Sequence, residues 1–346
     1  MMAQYKRLKK LVLVLAMMAV PCVSIAAPPE PPAQDPYQQA IQRLTNFDPQ
    51  IRRQGAESLG QMRNTAAVPD LIKALKDSSP MVRSAAADSL GLMRTLAASK
   101  QIAALLETDP DPSVRQTCAI ALGYIADREI LPSLIKGIKD KHDGARFASI
   151  NTLGILKDGR AVKPLADELK NPDSRMRSAS AYALGLIEDR SAVPMLVVAL
   201  KVSLSTSDLR DNTVAINVVK ALGTIREPSV LPAIKPLLVH KEAGVRIVSA
   251  HTLFRLSDGS GVIVAREFLS DPDGGRRRMA VEVVGEYGNE KDLSRVKALL
   301  SDSETGVKRL AEQAVSKLAQ RVPKKAPPPA KAKPSPSAPS KKPAPR

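Results

Sequence analysis

Arginines recur along this chain with a period of about 31 residues, and most have an acidic residue four positions earlier. The arginines are Arg52, Arg83, Arg115, Arg146, Arg177, Arg246 and Arg277. The acids are Asp48, Asp111, Asp173, Glu242 and Asp273, and Asp211 and Glu304 hold the same position before Ala215 and Lys308. Carboxylates and guanidinium groups form strong, directional ion pairs. If identical units stack, these residues form two parallel files. The sequence therefore predicts a structural ladder in which an acid of one unit meets an arginine of the next.

Cys118 and the histidines are the residues that could supply a nucleophile or bind a metal. Cys118 lies three residues after an arginine, in a position that small residues fill elsewhere, and no histidine is near it in sequence. His142, His240 and His251 are too scattered for a recognisable zinc-site spacing. The chain also lacks a glycine-rich phosphate loop, a catalytic-triad signature and a paired-carboxylate motif. We predict no catalytic, cofactor-binding or metal-binding residue and no cofactor, hence a protein that is not an enzyme.

The elements that would position the ladder are helices in pairs. Apolar residues follow each arginine by seven and ten positions, which places one apolar stripe on a helix. Pairs such as Val68-Pro69 begin a second helix, and Asn64 or Asp127 marks the turn between the two. A fixed period of this length is typical of stacked two-helix units.

A glycine stands eight residues after most of the arginines, inside the predicted first helix. The glycines are Gly60, Gly91, Gly123, Gly154, Gly185, Gly223 and Gly285. Glycine in a helix costs ~1 kcal/mol relative to alanine, so its return predicts a close approach to a neighbouring helix. Phe254 occupies this position once and predicts a local disturbance in the seventh unit. In the sixth unit Ala215 replaces the arginine, and residues 201–212 form an insertion, either a tolerated loop or a hinge or contact loop.

The string Asp-Pro-x-x-Arg … Ala-Leu-Gly … Asp-x-x-x-x-Pro-x-Leu, from Asp111 to Leu134, resembles the HEAT-like repeats first described in phycobilisome lyases. The resemblance covers about residues 36–318. It implies an all-α, right-handed α-solenoid of about eight to nine two-helix repeats, and it supports a structural ladder. Counting one lone helix at each end and eight pairs between them, we expect eighteen helices. We assign residues 1–26 to a signal peptide, 27–36 to a Pro-rich linker, 37–320 to the solenoid and 321–346 to a disordered basic tail.

Lysines recur at one position of the second helices, sixteen residues after the glycine: Lys76, Lys139, Lys170 and Lys201. The resemblance implies that second helices line the concave face, where these lysines would form a basic binding file. The other interpretation is that lysine in the last turn of a helix favours the helix dipole.

The N-terminus has the pattern of a secretory signal peptide. A basic stretch that ends at Lys10 leads into an apolar run, Leu11 to Val20, and then into small residues that end at Ala26-Ala27. We predict cleavage near Ala26-Ala27 and a periplasmic or secreted protein with no transmembrane span in the mature chain. An uncleaved anchor, or a lipoprotein that uses Cys22, are the alternatives.

The net charge of +17 is concentrated at the two ends. Residues 1–26 carry +4 and residues 321–346 carry +8, so the 294 residues between them carry +5. Prolines and lysines without aromatic residues make the C-terminal tail suited to loose attraction to an anionic envelope surface, or to a spacer role.

Together these features predict an exported scaffold that binds one or more protein partners. One alternative, implied by the resemblance, is a subunit of a bilin lyase. Another is binding of anions or nucleic acid by the basic helix ends and tail. We expect no specific nucleic-acid ligand, because the basic charge lies mostly in the tail and the chain has no tryptophan.

Overall fold

The computed structural model describes residues 35–206 and 208–321, and these residues form helices and turns without a β-strand. Eighteen α-helices follow one another along these segments. They are α1 (Pro36–Leu44), α2 (Pro49–Met62), α3 (Val68–Ala74), α4 (Pro80–Leu92), α5 (Ser99–Thr108), α6 (Pro112–Ile125), α7 (Leu131–Gly137), α8 (Asp143–Leu156), α9 (Val162–Glu168), α10 (Ser174–Ile187), α11 (Val193–Leu204), α12 (Leu209–Ile225), α13 (Leu231–Ile234), α14 (Ala243–Arg255), α15 (Val262–Glu267), α16 (Gly274–Tyr287), α17 (Leu293–Ala298) and α18 (Thr305–Gln320).

The helices between α1 and α18 form eight units, each a long first helix (even-numbered) and a shorter second helix (odd-numbered). A single turn of 3-10 helix joins the two helices of each unit, as at Thr65–Ala67 in unit one. Each first helix packs against the first helices before and after it, and from unit two onward it also packs against the second helix of the preceding unit. The chain is therefore an α-solenoid, and the predicted number and pairing of its helices are confirmed.

Four of the acids predicted as ladder partners cap first helices instead. Asp48, Asp111, Asp173 and Asp273 are the N-cap residues of α2, α6, α10 and α16, and each accepts a backbone N–H of the first turn at 2.8 Å. A carboxylate at this position satisfies an N–H group that has no partner within the helix and complements the helix dipole. The prediction that these acids meet arginines of a neighbouring unit was wrong, since their side chains turn back onto their own helices.

The glycine positions lie where successive first helices touch. A Cβ atom on Gly154 would lie 2.8 Å from the Cα of Ala183, and one on Gly91 would lie 2.8 Å from the Cα of Ala121. Both distances are shorter than carbon atoms can approach without a shift of the backbone. The expected close approach is thus present, and it sets the spacing of the first helices.

The turn that ends each first helix differs from the expectation. Asn64 and Asp127 have extended backbones, and their side chains cap the following 3-10 turn. The residue before them takes the left-handed conformation: Arg63 at φ 51° and Ala126 at φ 59°. The polar residue serves as a cap because its oxygen reaches the N–H group two residues later.

Several predicted segments lie outside the described residues: the signal peptide, the Pro-rich linker up to residue 34, Ser207 of the insertion and the tail from residue 322. Within 35–206 and 208–321, no helix has the length and apolarity that a bilayer span requires.

Candidate binding groove of the concave face

The arginine ladder joins each unit to the acid that ends the same unit, six residues before the next arginine. Arg52 donates from Nε and Nη2 to the carboxylate of Asp77 at 2.7 and 2.8 Å. Arg83 binds Asp109 in the same way, as do Arg115 with Asp140 and Arg277 with Asp302. The second amino group of each arginine donates to backbone carbonyls before its own helix, for example those of Asn46 and Phe47. Each paired arginine therefore links the turn before its own first helix to the turn after the second helix of the same unit.

Among the carboxylates of the ladder, Asp109 is buried, and Asp77, Asp140 and Asp302 are half-buried. The hydrogen bonds from Arg52 hold the pKa of Asp77 below its ordinary value, against the effect of burial. Burial alone would raise the pKa of Asp109, but Arg83 and the N–H of Asp111 bring it below its ordinary value. Charged groups removed from water in this way are stable only when they are paired and hydrogen-bonded.

The ladder lapses in the middle of the array. At the end of unit four, Asn171 occupies the position of the ladder acid. Among the described residues, Arg146 therefore forms an ion pair only with Asp143 of its own helix, and its Nε atom is buried without a hydrogen-bond partner. Ala215 supplies no arginine in unit six, and Arg246 lies 3.7 Å from an exposed Glu267. Arg177 pairs with Asp211, which is buried and also accepts from Thr206 at 2.6 Å. Asp211 lies four residues before Ala215, which occupies the ladder position of unit six. Unlike the four N-cap acids, Asp211 binds an arginine of a neighbouring unit, the preceding one.

The file of lysines does not lie on the concave face. Lys76, Lys139, Lys170 and Lys201 are exposed at the ends of the second helices, and Lys139 is neutralised by Glu168 of the next unit. The side of the second helices is the convex one, because successive first helices contact each other closely along the whole stack, whereas successive second helices seldom do. The glycine positions bring the first helices closest together, as the inner radius of a curved stack requires.

The residues that could do covalent or metal chemistry are not assembled for it. Cys118 is fully buried, and burial strongly raises the pKa of its thiol, so the thiolate form is suppressed. Of the histidines, His251 pairs with Glu282 at 2.6 Å, and His240 accepts the N–H of Glu242 at 3.1 Å. Among the described residues, no cluster of three or more His, Cys, Asp or Glu could hold a metal ion.

Three cavities run together along the first helices and form a groove on the concave face. The aromatic cavity, about 610 Å³, lies across α8, α10 and α12 and is lined by Phe147 and Tyr182. The basic cavity, about 390 Å³, lies across α10, α12, α14 and α16 and shares Tyr182 and Asn217 with the first. The histidine cavity, about 570 Å³, shares His251 and Arg255 with the second. The shared residues make the groove continuous from unit four to α18.

The groove continues towards unit two as a row of exposed apolar side chains. These residues occupy the positions one, five and nine residues after the ladder arginine: Leu92, Ile120, Tyr124, Phe147, Ile155 and Tyr182. Tyr182 is 54% exposed and Ile155 is 56% exposed. We call these six residues the apolar row. Large side chains that recur on one exposed face of a soluble protein mark an interaction surface.

The basic cavity carries positive charge without a lining carboxylate. Its cations are Lys220, Arg255 and Arg278, one from each of three successive first helices. Arg255 uses its Nε atom to donate to the carbonyl of Gly223 at 2.8 Å. Lys220 and Arg278 are exposed and form no ion pair with a described residue. Two unpaired cations and a partly used guanidinium therefore face the same space.

The histidine cavity marks the disturbance expected at Phe254. The ring of Phe254 packs at 5.6 Å from His251 and edge-on at 6.4 Å from Tyr287, between the helices that a glycine would let approach. At this junction the hydrophobic core of the described residues divides into two clusters, and the cavity opens beside it. The bulky ring acts as a spacer between α14 and α16.

The sequence analysis missed the apolar row and the basic cavity. Both follow the same register as the ladder, so a listing of the residues one, five and nine positions after each arginine would have found them. Attention to the lysines of the second helices led instead to the convex side.

Comparisons with known proteins agree with the repeat architecture. The model of the HEAT-repeat family matches residues 37–109 and 99–185, which extend from α1 to α10. No curated protein matches the sequence significantly.

Three solved structures are similar in part. Human deoxyhypusine hydroxylase, in complex with glycerol, shares 22% identity at a TM-score of 0.33, over 64% of this chain and 84% of that one. The complex of CpcE and CpcF, the phycocyanin lyase of Nostoc, shares 21% at a TM-score of 0.33, over 86% and 100% of the two chains. The YibA protein of Escherichia coli shares 16% at a TM-score of 0.45, over 82% and 92%.

Proposed function

Because this chain is a HEAT-like repeat protein, we propose that it is a non-enzymatic scaffold that binds another protein in the groove of its concave face. The observation that carries the proposal is the apolar row, which crosses four successive units and remains exposed. Burial of apolar area drives most protein association, at about 25 cal/mol per Å² removed from water. A continuous groove with aromatic side chains at its centre suits a segment of a partner protein rather than a small molecule.

The ladder gives this surface the rigidity that a binding site needs. Arg83 and Arg115 tie the first helices of units two and three to the turns that follow those units, so the spacing of Leu92, Ile120 and Tyr124 is fixed before a partner arrives. A preformed surface loses less conformational entropy on binding than a flexible one.

The test of the scaffold function is affinity capture with a matched pair of variants of the full chain. The double variant Ile155→Ser/Tyr182→Ser removes apolar area from the groove, and the double variant Val198→Ser/Val202→Ser removes exposed apolar area from α11. We expect a captured protein to be lost with the first variant and kept with the second. Equal capture by both variants, or no captured protein, would reject the proposal.

We further propose that the protein is exported and works in the periplasm or outside the cell. The support is the basic and then apolar pattern of residues 1–26, followed by small residues at Ser24-Ile25-Ala26-Ala27. Cell fractionation with mass spectrometry of the N-terminus tests it: a periplasmic product that begins at Ala27 or Pro28 is expected. An intact N-terminus in the cytosol would overturn it.

A further inference from the structure

We propose that the basic cavity binds a carboxylate side chain of the partner, so that the partner segment is apolar over units three to five and acidic over units six to eight. This inference rests on the proposed scaffold function and specifies the chemistry of its ligand. The cavity is lined by Lys220, Arg255 and Arg278, with Asn217 and Thr224 as neutral hydrogen-bonding groups, and by no acid.

Two cations of the basic cavity, Lys220 and Arg278, can bind a ligand because they form no ion pair that stabilises the fold within the described residues. Elsewhere in the groove, arginines are neutralised: Arg175 pairs with Asp173 at 2.7 Å, and Arg210 pairs with Asp208 at 2.9 Å. Lys220 and Arg278 have no such partner within the described residues. Unpaired cations that converge in a concave space raise the local concentration of anionic groups.

Glu282, an acid of the adjoining histidine cavity, is engaged with other groups. Glu282, one turn along α16 from Arg278, accepts a hydrogen bond from His251 at 2.6 Å, and this bond brings the pKa of Glu282 below its ordinary value although burial opposes it. Arg255 and Arg278 add to that lowering. Glu282 therefore offsets part of the positive charge but lines the neighbouring histidine cavity, which leaves the basic cavity open to another carboxylate.

The residues shared by the basic and aromatic cavities determine which residues can lie next to the bound carboxylate in the partner segment. Tyr182 and Asn217 line both cavities, and Leu186 and Met279 add apolar surface to the basic one. An acidic residue bound by Lys220 and Arg278 thus places its neighbours along the chain on Tyr182 and Phe147. An acidic segment with aromatic or aliphatic neighbours fits both sets of contacts at once.

A nucleic acid fits this groove less well than an acidic peptide. Proteins that bind a phosphate backbone commonly neutralise about 6–10 phosphates, whereas the basic cavity offers three cations. Acids also occur elsewhere along the first helices: Glu286 lines the adjoining histidine cavity, and Glu57 and Asp88 lie on the first helices of units one and two. Partial burial, and to a smaller extent the negative charge of Glu57, raise the pKa of Asp88.

The experiment selects peptides from a random phage-displayed library on the full-length protein and on two charge-matched variants. Lys220→Gln/Arg278→Gln removes two unpaired cations from the groove. Lys76→Gln/Lys201→Gln removes two exposed cations from the second helices and leaves the tail and the net charge equal. We expect the wild type and the second variant to enrich the same peptides, which combine Asp or Glu with aromatic or aliphatic residues. The first variant should lose the acidic enrichment.

One enriched peptide, labelled with a fluorophore, then gives dissociation constants. Replacing its acidic residues by Gln or Asn should weaken binding to the wild type by about tenfold and should leave binding to the Lys220→Gln/Arg278→Gln variant unchanged. Equal loss on both proteins, or acidic enrichment that survives in the first variant, would overturn the inference.

Two further arms separate the possible failures. If the Ile155→Ser/Tyr182→Ser variant enriches the same peptides as the wild type, the scaffold function of the groove fails, whatever the charge result. If a 20-nucleotide single-stranded DNA competes with the peptide on the wild type but not on the Lys220→Gln/Arg278→Gln variant, the cavity takes phosphates and the assignment to an acidic peptide is wrong. Absence of any enriched peptide rejects both proposals.

Discussion

Units one to three and units five to eight are built on the same repeat, yet they present different surfaces. In units one to three each ladder arginine binds a buried or half-buried aspartate at 2.7 Å, and the first helices approach closely at the glycine positions. In units five to eight Ala215 and Phe254 replace an arginine and a glycine, and the basic and histidine cavities open there. The departures from the repeat thus create the space in which a ligand can be held, while the regular units supply stability.

Acidification should reveal this difference with the largest effect. The pKa values of Asp77 and Asp140 lie below their ordinary value of 3.8 because Arg52 and Arg115 hydrogen-bond to them. A lowered folded-state pKa adds stability above the unfolded-state value, and this stability is lost as the pH falls through the folded-state value. We therefore expect units one to three to lose stability progressively below about pH 4, where the unfolded carboxylates begin to protonate.

Pepsin digestion of the full chain at pH 2.5, with the fragments mapped by mass spectrometry, locates the loss. We expect the share of early cleavage sites in units one to three to be larger with pepsin at pH 2.5 than with thermolysin at pH 7. Units six and seven, which lack ladder pairs, should show the opposite change. The same order of cleavage at both pH values would contradict the role of the ladder.

Arg83→Met tests a single pair of the ladder. The side chain of Asp109 is only 1% exposed, so the variant leaves a buried carboxylate that keeps the N–H of Asp111 but loses its main cation. Removal of one partner of a buried ion pair costs about 3–5 kcal/mol. Urea unfolding followed by circular dichroism should show a loss in this range. The control is Arg175→Met, whose ion pairs are solvent-exposed, and for which a much smaller loss than for Arg83→Met is expected.

The partners of the ladder show where sequence reasoning was sufficient and where it was not. The period, the two-helix unit and the eighteen helices followed from hydrophobic spacing, which reports the buried face directly. Acids occur both four and six residues before the ladder arginines, and both positions are close to the start of the first helix. Spacing alone does not show which acid caps the helix and which one pairs with an arginine. Only the geometry shows that Asp111 turns to the N–H groups of its own helix, while Asp109 binds Arg83 of the unit that Asp109 ends.

The curvature of the stack was also beyond the sequence reasoning. Which helix lies at the inner radius depends on how closely the backbones approach, and that is decided by contacts such as Gly154 against Ala183. The glycine period carried this information, but the concave face was assigned from the resemblance instead. As a result Lys139 was considered for binding and Tyr182 was not.

Gly154→Ala tests the close approach of the regular units. The new Cβ atom would lie 2.8 Å from the Cα of Ala183, so α8 and α10 must move apart. Overpacking of this kind costs about 1–3 kcal/mol, and the urea midpoint should fall accordingly. Gly306→Ala is the control, because its Cβ would meet no atom closer than 3.9 Å. There the higher helix propensity of alanine should leave stability unchanged or raise it by up to ~1 kcal/mol.

Phe254→Ala also places an alanine at the glycine position, here in unit seven. It should destabilise the protein by loss of ring contacts, whereas Gly154→Ala does so by overpacking. The substitution removes the ring contacts with His251 and Tyr287, each worth at most about 0.5–1.5 kcal/mol. We expect a loss of about 1 kcal/mol and a larger histidine cavity. The cavity change can be measured as faster hydrogen exchange in α14 and α16 by mass spectrometry. Exchange that slows down would mean that the two helices close over the space, and that the ring is not the support we describe.

The smallest expected effect is a gain, at the left-handed residue that follows the first helix in each of units one to seven. Ala126 has φ 59°, a conformation that costs residues with a Cβ about 1–2 kcal/mol. Ala126→Gly removes that strain, while the greater freedom of glycine in the unfolded chain offsets part of it. We expect a net gain of about 0.5 kcal/mol in unfolding free energy. The matched substitution Ala119→Gly, in the buried interior of α6, should instead lose about 1 kcal/mol or more, since it gives up helix propensity and a packed methyl group. If both substitutions destabilise the chain alike, the turn at Ala126 is not strained, and the regular units are limited by packing alone.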